Sequence, residues 1–243
     1  MPAMRRARNA RASAHGRTGN LIARELIGAA LVPGGKELRL FRHDSDFMIV
    51  LDRDELMSTR MSGSESALAT MTCARLAGRS RPRLLIGGYG MGFTLRAALA
   101  VLGEEAQVVV AELVPQVVIW ARGAMRDLTA GCLEDPRVEL VLGDVADAIA
   151  SGSESYDAIL LDVDNGPDGL TRAANDRLYS AEGLKAAMAA LKPGGVLAVW
   201  SAARDNVFAA RLRKAGFRVE EAPVRARSNG KGPTHVIWLA EAP

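Results

Sequence analysis

Arg83-Leu84-Leu85-Ile86-Gly87-Gly88-Tyr89-Gly90-Met91-Gly92 decides the fold. A short apolar strand runs into a turn with four glycines in six residues, and the helix-like run Phe93-Thr94-Leu95-Arg96-Ala97-Ala98-Leu99-Ala100 follows at once. Strand, glycine turn and helix start together form a device for holding a nucleotide-like ligand. Glycine lets the backbone approach a ligand with no Cβ in the way. The first turn of the helix then offers unpaired N–H donors. The spacing excludes a phosphate loop, because no G-x-x-x-x-G-K-[ST] string occurs. A dinucleotide fingerprint would need glycine where Phe93 stands.

Three further strand-like runs end in acids. Gln107-Val108-Val109-Val110-Ala111-Glu112 places a carboxylate where it can accept hydrogen bonds from ribose hydroxyls. Val138-Glu139-Leu140-Val141-Leu142-Gly143-Asp144 ends in an Asp whose side chain or neighbouring backbone can meet an adenine amino group. Tyr156-Asp157-Ala158-Ile159-Leu160-Leu161-Asp162 ends in a third acid. Each acid taken alone also suits a helix N-cap. Four informative strand ends in order suit a ligand site better, since ligands of open α/β sheets sit outside the carboxyl ends of the strands. Gly88-x-Gly90-x-Gly92 then fits the glycine loop of enzymes that bind S-adenosylmethionine.

The spacing predicts helices near 93–102, 114–128, 145–150, 181–191 and 204–215. Predicted strands lie near 82–87, 107–112, 138–142, 157–162, 195–200, 217–222 and 234–240. Alternation at this spacing implies a parallel sheet with helices on both faces. Leu191-Lys192-Pro193-Gly194-Gly195 reads as a helix stop and turn. The last two strands read as a closing antiparallel pair, with Arg225, Arg227 and Lys231 on the loop between them. The expected fold is α/β, a seven-stranded Rossmann-like methyltransferase sheet. A nicotinamide dehydrogenase would continue as a second parallel half, so that class falls behind. Upstream, Leu26–Val32, Glu37–Phe41 and Phe47–Leu51 read as three short strands of a small N-terminal antiparallel unit. The expected units are a disordered basic tail over 1–20, the strand unit over 21–60 and the Rossmann-like domain over 61–243.

Hydrophobic residues make up 49% of the chain, enough for a sizeable core. The longest apolar runs are strand-sized, so no membrane span is expected. Cys73 and Cys132 form no CxxC, and His15, His43 and His235 show no ligand spacing, so no metal is expected. The formal charge is +3, but the first 24 residues hold six arginines and no acid. The basic balance therefore belongs to the tail, and the body is net acidic. The tail has no apolar segment, so a secretory signal is not expected and the expected location is cytoplasmic.

The chain resembles the spermidine synthase family. The matching strings are Glu37-Leu38-Arg39-Leu40, Leu51-Asp52-Arg53-Asp54-Glu55-Leu56-Met57-Ser58, Ile86 to Arg96, Asp135-Pro136-Arg137-Val138, Leu161-Asp162, Leu178-Tyr179-Ser180 and Leu191-Lys192-Pro193-Gly194-Gly195. The resemblance implies a donor site of Gly87, Gly88, Tyr89, Gly90 and Gly92, with Glu112, Leu113, Asp144 and Val145. The implied cofactor is S-adenosylmethionine or its decarboxylated form. Asp162 matches the family's catalytic aspartate. Glu65, Asp164, Asn165 and Tyr179 stand at its acceptor side, with Asp168 close by. A homodimer through the N-terminal strands is also implied. The family's Tyr-Gln/His-Glu triplet reads Gly63-Ser64-Glu65 here, its Asp-Ser-x-Asp reads Asp162-Val163-Asp164-Asn165, and Met91 stands where its loop often carries Asp. The nucleoside side is intact and the diamine side is changed. The expected activity is therefore transfer of a methyl or other alkyl group to a small, amine-bearing acceptor, with methyl transfer ahead of aminopropyl transfer. A non-catalytic nucleoside- or nucleic-acid-binding protein is the third reading; nucleic acid is not the expected partner.

Overall fold

A computed structural model of the chain describes residues 24–163 and 177–243. The expected basic tail, together with Asp164, Asn165 and Asp168, lies outside the described residues.

The N-terminal unit is a four-stranded antiparallel sheet in the order β1-β2-β3-β4. Its strands are β1 (Glu25–Leu31), β2 (Glu37–His43), β3 (Asp46–Leu51) and β4 (Asp54–Ser58). The fourth strand is an addition to the three expected. It forms because Asp52 adopts φ +53 and closes a tight turn after β3. Asp and Asn tolerate this left-handed region better than most residues. The Asp52 carboxylate also accepts the Glu37 N–H at 3.1 Å, tying the turn to β2.

The main sheet has seven strands: β5 (Arg83–Gly87), β6 (Gln107–Glu112), β7 (Val138–Leu142), β8 (Tyr156–Leu161), β9 (Leu191–Ser201), β10 (Arg218–Arg225) and β11 (Thr234–Glu241). Their order is β7-β6-β5-β8-β9-β11-β10. β5 pairs in parallel with both β6 and β8, whereas β11 is antiparallel to both neighbours. The expected closing pair is thus present, with the last strand inserted between β9 and β10.

The helices are α1 (Gly63–Ala74), α2 (Phe93–Val101), α3 (Pro115–Arg122), α4 (Arg126–Thr129), α5 (Val145–Ser151), α6 (Ala181–Ala190) and α7 (Asn206–Lys214). The single helix expected over 114–128 is broken at Gly123, whose φ and ψ are both −105°. The strand expected from 195 begins earlier, because Leu191 already pairs with Tyr156 before a register shift. No described helix is long and apolar enough to cross a membrane.

Alternate strand residues enter two cores. Leu84, Ile86, Val108, Val110, Ala158 and Leu160 face one cluster, which also takes in Leu38, Leu40, Ile49 and Leu51 of the N-terminal sheet. Leu85, Val109, Ile159 and Leu161 face the other, against α5, α6 and α7. This period of two is the ordinary consequence of strand geometry. The N-terminal sheet therefore shares the first of these cores.

Asp157 ties the opposite, amino-terminal ends of the central strands together. Its carboxylate accepts the Arg83 N–H at 2.7 Å, Arg79 Nη1 at 2.5 Å and Lys192 Nζ at 2.8 Å. Burial alone pushes this acid up, but the three donors together hold it below the usual carboxylate range. Lys192 of the Lys-Pro-Gly-Gly string thus has a structural partner. Asp157→Asn is expected to cost about 2–3 kcal/mol, because two half-exposed cations lose a buried anion. Urea unfolding at pH 7 measures this. The sign also sets a pH window: the wild-type advantage is present above the unfolded pKa near 3.8 and disappears as pH falls through the lower folded value.

Candidate active site

A cleft of about 190 Å³ opens at the carboxyl ends of β5, β6, β7 and β8. The glycine loop, the turns after β6 and β7, and Asp162 with Val163 form one side. Leu38, Ile49, Leu51, Leu56 and Met57 of the N-terminal sheet form the other. Those apolar residues were not expected in the site. The alternating pattern of β2 and β3, which gives their sheet one apolar face, is the signal that could have found them.

Gly88 holds the geometry together. Its φ is +84, and a Cβ there would lie 2.5 Å from the Asp162 carbonyl oxygen. Only glycine lets the loop lie against the end of β8. Glu112 shapes the same loop from below. One carboxylate oxygen accepts the Tyr89 N–H at 2.9 Å and the Gly90 N–H at 3.4 Å, and the other accepts the Val114 N–H at 2.8 Å. Burial raises the proton affinity of Glu112, and these three donors oppose the rise. So the expected sugar-binding acid also organises its own loop. Tyr89 offers only its backbone here, because its ring is buried and its hydroxyl lies 3.4 Å from Cys132 Sγ.

Asp144 caps α5, accepting the Ala146 N–H at 2.8 Å through Oδ1, while its other oxygen pairs with Arg177 at 2.8 Å. It still lines the cleft together with Leu113 and Val145. Its side chain is committed to a cap and an ion pair.

Two further acids of the cleft are Glu65 on α1 and Asp162 after β8. Asp162 is half-buried as a residue, but its carboxyl is enclosed, and Oδ2 accepts from Thr94 Oγ1 at 2.6 Å. Burial pushes Asp162 up to about 6. Burial first, and then the Asp162 charge, push Glu65 up to about 8. Two carboxylates that feel one another lose their protons in two joint steps. Ser64 donates to Glu65 at 2.8 Å. Thr94, Ser64 and His235, which contacts Ser64, were absent from the expected set. Their partners come from distant segments, and only the position of Thr94 in the first turn after the glycine loop hinted at a role.

Tyr179 is not among these groups. Its ring is 2% exposed in the second core and meets Phe208 edge-on at 5.4 Å. The segment leads into α6, where Ser180 caps the helix and Arg211 bonds the Tyr179 carbonyl at 2.7 Å. Burial of the ring against Phe208 accounts for this placement.

Among the described residues lining the cleft, the ionisable side chains are the acids Glu65, Glu112, Asp144 and Asp162, with no Lys, Arg or His. Such a site favours a cationic ligand and repels an anionic one.

Comparison with known proteins agrees with this architecture. Residues 68–208 match the spermine/spermidine synthase domain family. A polyamine aminopropyltransferase of Mycobacterium tuberculosis is 31% identical over 167 residues, covering 68% of this chain and 30% of that protein. One from Aeropyrum pernix is 35% identical over 122 residues, covering 50% of this chain and 37% of that protein. The chain spans about a third of the length of the curated relatives it matches. The spermidine synthase of Thermotoga maritima superimposes with a TM-score of 0.70 at 19% identity, over 90% of this chain and 73% of that one. That likeness concerns the fold.

Proposed function

The chain belongs to the spermine/spermidine synthase domain family, and on that premise we propose that it transfers an aminopropyl group from decarboxylated S-adenosylmethionine to an amine acceptor. This reverses the order expected from the sequence, in which methyl transfer led. The carrying observation is the ionisable lining of the cleft: four acids and no basic side chain among its described residues. The amino-acid end of S-adenosylmethionine bears a carboxylate, which such a lining would repel. Its decarboxylated form carries only positive groups there, and so does a polyamine acceptor. The names of the relatives, polyamine aminopropyltransferases, point the same way.

In this reading Gly88 and Gly90 lie against the donor's chain, Glu112 meets its ribose and the backbone beside Asp144 meets its base. Met57 and Leu51 exclude water from the opposite side. When bound, the donor supplies a sulfonium whose neighbouring methylene carbon accepts the amine while the carbon–sulfur bond breaks onto sulfur. Asp162 takes the proton that the amine must lose. Thr94 holds Oδ2 and thereby sets the direction of the other oxygen. Glu65, raised to about 8, shares that proton with Asp162. Holding amine and carbon in line supplies much of the acceleration, since the electrophile is already strong.

Incubation with the decarboxylated donor and a panel of diamines, followed by mass spectrometry, tests this. Methylthioadenosine and an amine heavier by one aminopropyl group are expected. S-adenosylhomocysteine formed from S-adenosylmethionine, with no methylthioadenosine from the decarboxylated donor, would overturn it.

A further inference from the structure

Ser64 stands between two titratable groups. Its Oγ is 2.8 Å from Glu65 Oε2 and 2.8 Å from Nδ1 of His235, which lies 171 residues away on β11. Ser64, Glu65 and His235 are all buried, at 0%, 5% and 7% exposure. The contact exists because the start of α1 is pressed onto the hairpin of β10 and β11. The Gly63 N–H bonds the Ala226 carbonyl at 2.8 Å, and a Cβ on Gly63 would lie 2.5 Å from the Arg227 carbonyl carbon. His235 is held edge-on against Trp200, a wall of the cleft, at 4.8 Å.

A serine hydroxyl has one hydrogen, so two proton arrangements satisfy both contacts. In the first, His235 Nδ1–H donates to Ser64 and Ser64 donates to the Glu65 carboxylate. In the second, protonated Glu65 donates to Ser64 and Ser64 donates to a bare Nδ1. The two differ by one proton moved along the chain of groups.

We propose that Ser64 and His235 form a proton relay that carries protons between the acceptor end of the cleft and β11. The relay rests on the amine-acceptor reading given above. A proton released by the amine passes to the Asp162–Glu65 pair. Glu65 then gives its O–H proton to Ser64 Oγ as the Ser64 hydrogen moves to His235 Nδ1. Ser64 ends neutral and His235 ends as imidazolium; the reverse shift returns the proton to Glu65, from which it leaves to solvent through the cleft as the product departs. Burial lowers the proton affinity of the ring, which keeps it neutral at rest. The charged groups around the relay are Glu65 on α1, Asp162 after β8, Arg225 on β10 and Arg227 on the hairpin loop. Arg225 bonds Thr234, the neighbour of His235, at 3.0 Å. His235 and Ser64 are thus positioning residues that act through Glu65.

Two measurements test the relay. Nitrogen-15 NMR of the histidine rings, of which the full chain has three, follows the His235 tautomer against pH. The relay predicts a step in the Nδ1 signal that tracks Glu65 and is lost in Glu65→Gln and in Ser64→Ala. An unchanged His235 titration in Glu65→Gln, an isosteric variant, overturns it. In aminopropyl transfer, His235→Gln keeps a donor toward Ser64 but cannot take up a proton. It is expected to lower kcat tenfold or more, move the acceptor KM less than twofold and flatten one limb of the pH profile. Full activity of His235→Gln with a wild-type profile overturns the relay. A coupled NMR titration without aminopropyl transfer by the wild type supports the relay and counts against the functional reading alone.

Discussion

Asp162→Asn lowers kcat for aminopropyl transfer by ~10³-fold, while the dissociation constant of the donor stays within about threefold; general-base catalysis contributes ~10²–10⁴. Asn keeps the size of the side chain and can still accept the Thr94 hydrogen bond, but it has no basic oxygen for the amine proton. Calorimetric titration of the donor alongside single-turnover kinetics separates the two quantities. Equal losses in both would reject the general-base role. The pH dependence gives a second check. Asp162 must be ionised to act, so kcat/KM falls as pH drops through its raised value of about 6. The neighbouring Glu65, raised to about 8, spreads that limb over two joint steps. Stability moves the other way. A carboxyl whose folded pKa lies above its unfolded value loses stabilisation as pH rises between the two. Above that window the wild type buries a charge that Asn lacks, so the variant melts no lower than the wild type at pH 8.

Glu112→Ala is expected to damage stability and donor binding together. The substitution strips the acceptor from the Tyr89, Gly90 and Val114 N–H groups in a buried site. An orphaned buried donor costs about 1–3 kcal/mol, and water entering the new space recovers part of it. A net loss of about 3 kcal/mol is expected, which for a chain of this size lowers Tm by ~6–12 °C. Donor affinity falls at least ~10-fold, because the glycine loop loses its template and the ribose a charged partner. Glu112→Gln retains one carbonyl oxygen and falls between. Differential scanning calorimetry with and without the decarboxylated donor reads both effects. A stable Glu112→Ala protein with wild-type donor affinity would remove Glu112 from the site.

Much of this site is legible in the chain itself. The glycine turn after β5 and the acids at the ends of β6, β7 and β8 occupy neighbouring strand tips. Strand ends that follow one another in an α/β alternation must gather at one edge of a parallel sheet. The fourth N-terminal strand was not legible, because it depends on Asp52 taking a left-handed turn that its neighbours do not advertise. Tyr179 was read toward the acceptor because Leu178-Tyr179-Ser180 matches a family string, and its ring packs in the core against Phe208. Met57 was quoted for its motif alone, and its place above Gly90 follows from how the N-terminal sheet packs.

By itself, the sequence determined the seven-stranded architecture, the antiparallel ending and the row of acids. These depend on periodicity and short-range spacing, which the chain carries locally. Only the tertiary structure decided that Glu112 spends its oxygens on its own loop, that an apolar sheet walls the cleft, and that Ser64 lies between Glu65 and His235. Those facts depend on where side chains point and on which remote segments meet, and close packing settles both only when the whole core is assembled.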